Sequence, residues 1–204
     1  MKNEMRKLDE TQIGRYKGLL GLVGERKGKL LEFLEYLHTE TSWATSPAST
    51  RFHANEEGGL LDHSVRVAEN ALKLRAALAP QMPEESCVIA GLFHDLGKIG
   101  YPGKPRYLKN TNQWEIRNRD KQFVINPELT AMGLGMQSLW IVGMHFRLTE
   151  AEAQAIAYAD GPFVPEYEAI AHREHPLTLL THWADFWSGH VLESPRYAAL
   201  AGVQ

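Results

Sequence analysis

The sequence predicts a mostly α-helical fold, and three observations carry that prediction. Apolar residues recur at three- and four-residue steps from end to end. The breaks between these runs fall at proline, glycine and asparagine. Of 204 residues, 44% are hydrophobic and 23% charged, a globular balance that excludes a disordered tail, and no internal period points to a repeat array. A chain of this length buries roughly 70% of its unfolded surface in one core. One domain over residues 1–204 is therefore expected, with an N-terminal helical region at 1–45 and a core at 47–191.

The first helical region should begin after Asp9 or Thr11 and end on the stripe Leu30, Leu31, Phe33, Leu34 and Leu37. The stretch from Thr41 to Thr50, with Pro47 and several hydroxyl residues, breaks it. From Gly59 to Leu78, the residues Leu61, Val65, Ala68, Leu72 and Leu78 line one face. Pro80 and Pro83 stop that helix. Pro83 at a first helical position, with Glu84 and Glu85 in the first turn, opens a helix through Phe93 that is apolar on nearly every side and hence central. Tyr107-Leu108 and Trp114-Glu115-Ile116, separated by Asn110-Thr111-Asn112, predict a small β-hairpin within residues 105–125. Asn126-Pro127 predicts a helix running to Gly143. Thr149 and Glu152 form a capping box, and His175-Pro176 opens the last strong helix, carrying Leu177, Leu180, Ala184, Trp187 and Val191. The cluster Trp183, Phe186 and Trp187 reads as core, with a base-stacking wall as the alternative.

Charge and cysteine usage narrow the function classes. The formal charge is −3. It is unevenly spread: Lys98, Lys104, Arg106, Lys109, Arg117, Arg119 and Lys121 face only Glu115 and Asp120 within that segment, and residues 1–30 are also net basic. A local basic segment in an acidic chain suits a small phosphorylated ligand better than a long nucleic acid, although a solvated loop has the same composition. Cys87, the lone cysteine, lies in the apolar run Cys87-Val88-Ile89-Ala90 and reads as a buried hydrophobe in a reducing compartment. Met1-Lys2-Asn3-Glu4 opens no signal-peptide core, and no stretch approaches the roughly 18 apolar residues of a membrane span. A cytoplasmic protein without a membrane anchor is expected, and its oligomeric state is not readable.

The chemistry begins at His94-Asp95, where two ionisable groups end the most apolar helix. Such a placement is costly unless the charges are compensated. By itself the dipeptide says little. His63, within Gly58-Gly59-Leu60-Leu61-Asp62-His63-Ser64, and Asp185, within His182-Trp183-Ala184-Asp185, add an imidazole and a carboxylate from two further helices. Two imidazoles and two carboxylates form a mixed nitrogen and oxygen shell suited to one divalent first-row metal, with positions left for water and a phosphate oxygen.

With Leu92-Phe93-His94-Asp95-Leu96-Gly97-Lys98, these blocks resemble the HD-domain metal-dependent phosphohydrolase superfamily, whose signature is a His, a His-Asp pair and a distant Asp. The resemblance runs from about Pro47 to Val191. It implies an all-α, HD-domain-like helical bundle and metal ligation by His63, His94, Asp95 and Asp185. It also implies metal-activated attack of water on phosphorus, with Asp95 and Lys98 catalytic and Lys98 contacting substrate phosphate. Arg51 and His53 precede the Gly-Gly block, where relatives often place a substrate-facing residue, and His145 is a further candidate for substrate contact. Relatives with two metals supply more histidines. Two that such relatives often carry are absent here, at Leu134 and Ala159, so a mononuclear centre is expected, with Asp160 as a substitute ligand. His145 and His182 read first as packed or hydrogen-bonded histidines; for His182, three residues before Asp185 on the same helix face, a bond to Asp185 is the alternative.

The expected function is hydrolysis of a nucleotide or similar small phosphate ester with one ion of manganese, iron, cobalt, nickel, magnesium or zinc. A catalytically degenerate nucleotide sensor or partner-docking module is the alternative. A single-stranded RNA phosphodiesterase is a further one, less favoured because the chain leaves no room for a nucleic-acid-binding barrel.

Overall fold

In the computed structural model, residues 10–202 are described, the side chains of residues 195 and 196 excepted. The segment before Glu10, on which the expectation of no export signal rests, lies outside them. Helices α1 (Glu10–Gly21), α2 (Lys27–Glu40), α3 (Gly59–Leu78) and α4 (Glu84–Phe93) come first, and a 3-10 turn, Leu96–Ile99, follows α4. Strands β1 (Gly100–Tyr101) and β2 (Lys104–Pro105) form one antiparallel ribbon, and β3 (Tyr107–Lys109) and β4 (Phe123–Ile125) a second, with α5 (Gln113–Arg119) between them. Helices α6 (Leu134–His145), α7 (Glu150–Ala157) and α8 (Pro176–Trp187) complete the bundle, and α8 continues through a π-helical turn, Ser188–Leu192, to α9 (Pro195–Leu200).

The all-α class is as the sequence predicts, and α4 is central. Ser86 to Phe93 are all buried. One side of α4 packs Val88, Ile89, Leu92 and Phe93 into a core shared with Phe33, Leu37, Leu61, Val65 and Ile141. The other packs Cys87 and Ala90 against Val67, Ala71, Leu177 and Ala184. Helices α3 and α4 approach closely because Gly91 has no Cβ: one built there would lie 2.5 Å from the Ala68 Cα. The free Cys87 is buried. No helix among the described residues is long and apolar enough to cross a membrane.

Four local expectations need correction. The first helical region is two helices, parted at residues 22–26. Trp114-Glu115-Ile116 is helical, because the Asn112 side chain accepts hydrogen bonds from Trp114 N and Glu115 N and so caps α5. The true partner of Tyr107 is Ile125, so the hairpin exists with α5 inserted in its loop. Asn126 does not cap a helix reaching Gly143: its Oδ1 accepts from Glu128 N while its Nδ2 donates to Pro105 O, a turn that ties it to β2, and α6 starts only at Leu134.

Candidate metal centre

The Gly58-Gly59 pair positions the first imidazole. Gly58 sits at φ 83°, in the left-handed region, and a Cβ on Gly59 would lie 2.2 Å from the Ala54 carbonyl oxygen. The loop before α3 can therefore fold tightly under its first turn. His63 follows four residues later, fully buried. Helix α4 runs back along α3 and ends at His94, whose N–H still bonds Ala90 O, and the chain then tightens into the 3-10 turn, placing Asp95 beside His94. Asp185 arrives from α8, which packs on both α3 and α4.

The four side chains meet. His63 Nε2 lies 3.0 Å from Asp185 Oδ1 and 3.6 Å from Asp95 Oδ2. His94 Nε2 lies 3.4 Å from Asp95 Oδ2 and 3.6 Å from Asp185 Oδ1. His94 Nδ1 donates to Gly91 O at 2.8 Å, which fixes the ring, yet its Nε2 is buried without a hydrogen-bond partner. An orphaned, buried imidazole nitrogen aimed at two carboxylates is the arrangement a cation satisfies, so these residues fit a metal. His63, His94 and Asp95 present ligand-type atoms within 4.8 Å of one another. Burial disfavours charge on His94, but Asp95 and Asp185 outweigh it and push the imidazole up to about 10. Burial raises both carboxyls, but Lys98 and His94 hold Asp95 below the usual carboxylate range, and His63 and His94 hold Asp185 well below it.

The HD domain model of the protein families matches residues 60–180, more than half of the chain. The chain belongs to the HD domain family. Neither a curated protein nor a solved structure matches it. HD domains are usually metal-dependent hydrolases, which implies a divalent ion. The HD domain match takes in His63, His94 and Asp95 and ends short of Asp185, which the fold carries to the same point.

A cleft of about 460 Å³ opens beside Asp95 and Asp185, which line it. Lys98 lines it and ion-pairs with Asp95 Oδ2, and of the basic residues between 98 and 121 no other lines it. His53 lines it too, its ring 4.9 Å from that of His63, and burial together with His63 pushes its imidazole down to about 4. Arg51 is exposed, with its guanidinium over the Phe52 ring, and does not line the cleft. His145 is likewise elsewhere, stacked on Tyr36 with ring centroids 4.1 Å apart at the end of α6. Asp160 lines the cleft, where burial and the charges of Asp95 and Asp185 raise its carboxyl. It stands outside the ligand group around His63. His182 also reaches the cleft, but its Nδ1 donates to Ala159 O at 2.8 Å instead of to Asp185.

The aromatic cluster on α8 is not core. Trp183, Phe186 and Trp187 are 45%, 41% and 47% exposed, because the buried face of α8 carries Leu177, Leu180, Thr181 and Ala184 instead. Phe186 forms the cleft wall with Phe163 and His190. The sequence also gave no hint of Glu193. Its buried side chain accepts from His63 Nδ1 at 2.9 Å and from Arg66 at 2.8 Å. No motif marks it, and a helical count from Asp185 puts it on another face.

Proposed function

We propose that the protein is a divalent-metal-dependent phosphohydrolase acting on a nucleotide or similar small phosphate ester. The observation that carries this reading is the meeting of His63, His94, Asp95 and Asp185 around the unpartnered His94 Nε2, beside an open cleft. A divalent ion held by these four supplies Lewis acidity toward a phosphoryl oxygen and lowers the pKa of a water for attack on phosphorus. The chain's own residues do the rest. The Gly91 carbonyl keeps the proton of His94 on Nδ1 and leaves Nε2 free to ligate. Asp95 and Asp185 stay ionised at neutral pH and bring the charge that a cation needs. Lys98 sets a positive charge at the cleft wall, where it offsets the charge of a phosphate. His53, neutral at that pH, lets a phosphate approach without adding charge.

The cleft's aromatic wall supports a nucleotide. Phe163 and Phe186 stack with centroids 5.6 Å apart and planes 4° apart, and Phe186 stacks on His190 at 4.1 Å. Phe163, 71% exposed, leaves ring surface open to a planar base. Manganese, iron, cobalt, nickel, magnesium and zinc all suit a mixed imidazole and carboxylate shell. The buried thiol of Cys87 is compatible with a reducing cytoplasm. The test is phosphate release from nucleotides and generic mono- and diesters with Mn²⁺, Co²⁺, Ni²⁺ or Mg²⁺. Turnover lost in His94→Ala and Asp95→Asn is expected. Nucleotide that raises the melting temperature while phosphate release stays at background would replace the enzyme with a sensor.

A further inference from the structure

The π-helical turn after α8 brings a second carboxylate to the far side of the His63 ring. Glu193 lies eight residues beyond Asp185. At about 100° per residue, a regular α-helix would leave it roughly 80° away from the Asp185 face. The Ser188–Leu192 turn takes up that surplus with wider i to i+5 bonds, and Glu193 N–H donates to Ser188 O to close it. The turn is pinned to α3 at its start, where Asn70 Nδ2 donates to Ser188 Oγ at 2.9 Å. It is pinned again at its end, where Arg66, one turn beyond His63 on the same helix, donates to Glu193 Oε1 at 2.8 Å. One stretch of chain thus faces both nitrogens of His63: Asp185 at Nε2, 3.0 Å away, and Glu193 at Nδ1, 2.9 Å away.

We propose that Glu193, held by Arg66, is a positioning residue that keeps the His63 proton on Nδ1 and its Nε2 lone pair aimed at the metal. The inference rests on the metal centre proposed above. An ionised carboxylate accepts only, so each nitrogen of His63 carries a hydrogen toward its carboxylate; a metal held by Asp185 would take the place of the one on Nε2 and leave the one that Glu193 accepts on Nδ1. That bond fixes the ring orientation and raises the basicity of the ligating nitrogen. A competing use of the same residues exists, since His53, His63 and Glu193 also bring ligand-type atoms within 4.8 Å of one another. Arg66 occupies only one oxygen of Glu193, so the number of ions bound decides between this use and the positioning role.

The test titrates metal-free protein with Zn²⁺ against a competing chelator and records ¹⁵N spectra of the histidine rings. Wild type should bind one ion, with His63 protonated at Nδ1 in the loaded form. Glu193→Ala should bind about 10- to 100-fold more weakly. Glu193→Gln, whose amide oxygen still accepts, should stay within a few-fold of wild type, and it replaces Glu193→Ala should that variant not fold. Wild-type affinity in Glu193→Ala, a His63 proton on Nε2, or a second ion lost with Glu193 would each overturn the role. Wild type that takes up no ion would instead overturn the metal centre itself.

Discussion

At the residue scale, the site is a set of charges whose neighbours decide their state. In metal-free protein His94 is pushed from 6.5 up to about 10, so its contribution to stability is full below pH 6.5 and is lost as pH rises toward 10. The lowered carboxyls of Asp95 and Asp185 act in the opposite window, contributing above about pH 4 and failing in acid. Urea midpoints in chelator should therefore fall between pH 6.5 and 10, and His94→Gln should flatten that fall; a wild-type midpoint unchanged over this range would contradict the assignment. Lys98→Ala should lower kcat/KM about 10- to 100-fold, the size of a charged hydrogen bond, and an unchanged value would remove Lys98 from substrate contact. Phe163→Ala should raise KM for nucleotides about 2- to 10-fold and leave a non-aromatic ester unaffected. The sequence made His63, His94, Asp95 and Asp185 legible because each sits in a recognisable block. Glu193, between Leu192 and Ser194, sits in none.

At the element scale, the spacing of the motif is the geometry of an antiparallel helix pair. His63 and His94 face one another because α3 runs out, turns at Pro80 to Pro83, and returns as α4 at a distance that Gly91 and Ala68 allow. Gly91→Ala would set a Cβ against the Ala68 backbone. A net loss of about 1–2 kcal/mol on urea unfolding is expected, the overpacking cost exceeding the helix-propensity gain, along with weaker metal binding. A more stable variant with unchanged metal affinity would show that the close approach does not set the site. Period and caps gave α3, α4, the Thr149–Glu152 capping box and α8 close to their true limits. They failed where side chains override periodicity. Asn112 turned an expected strand into α5, and Asn126 spent its side chain on β2. Leucine, threonine and alanine, not the large aromatics, form the buried face of α8.

At the scale of the whole molecule, the bundle is tied together by an ionic cluster built around the buried Glu152. Arg26, at the start of α2, reaches Glu85 on α4 and forks onto Glu152 on α7 at 2.7 and 2.8 Å. Glu152 is fully buried, caps its own helix through Thr149 and accepts from Ser86. Arg26→Ala leaves that charge without its partner and should cost about 3–5 kcal/mol in urea unfolding; a loss below about 1 kcal/mol would show the cluster to be incidental. No periodicity rule finds such a tie, since it depends on packing among helices distant in sequence. The family blocks did foretell that three distant helices would converge. The direct test of that convergence is an anomalous-scattering map from a crystal grown with Mn²⁺. One peak bounded by His63, His94, Asp95 and Asp185 is predicted, and a peak elsewhere, or none, would contradict the account.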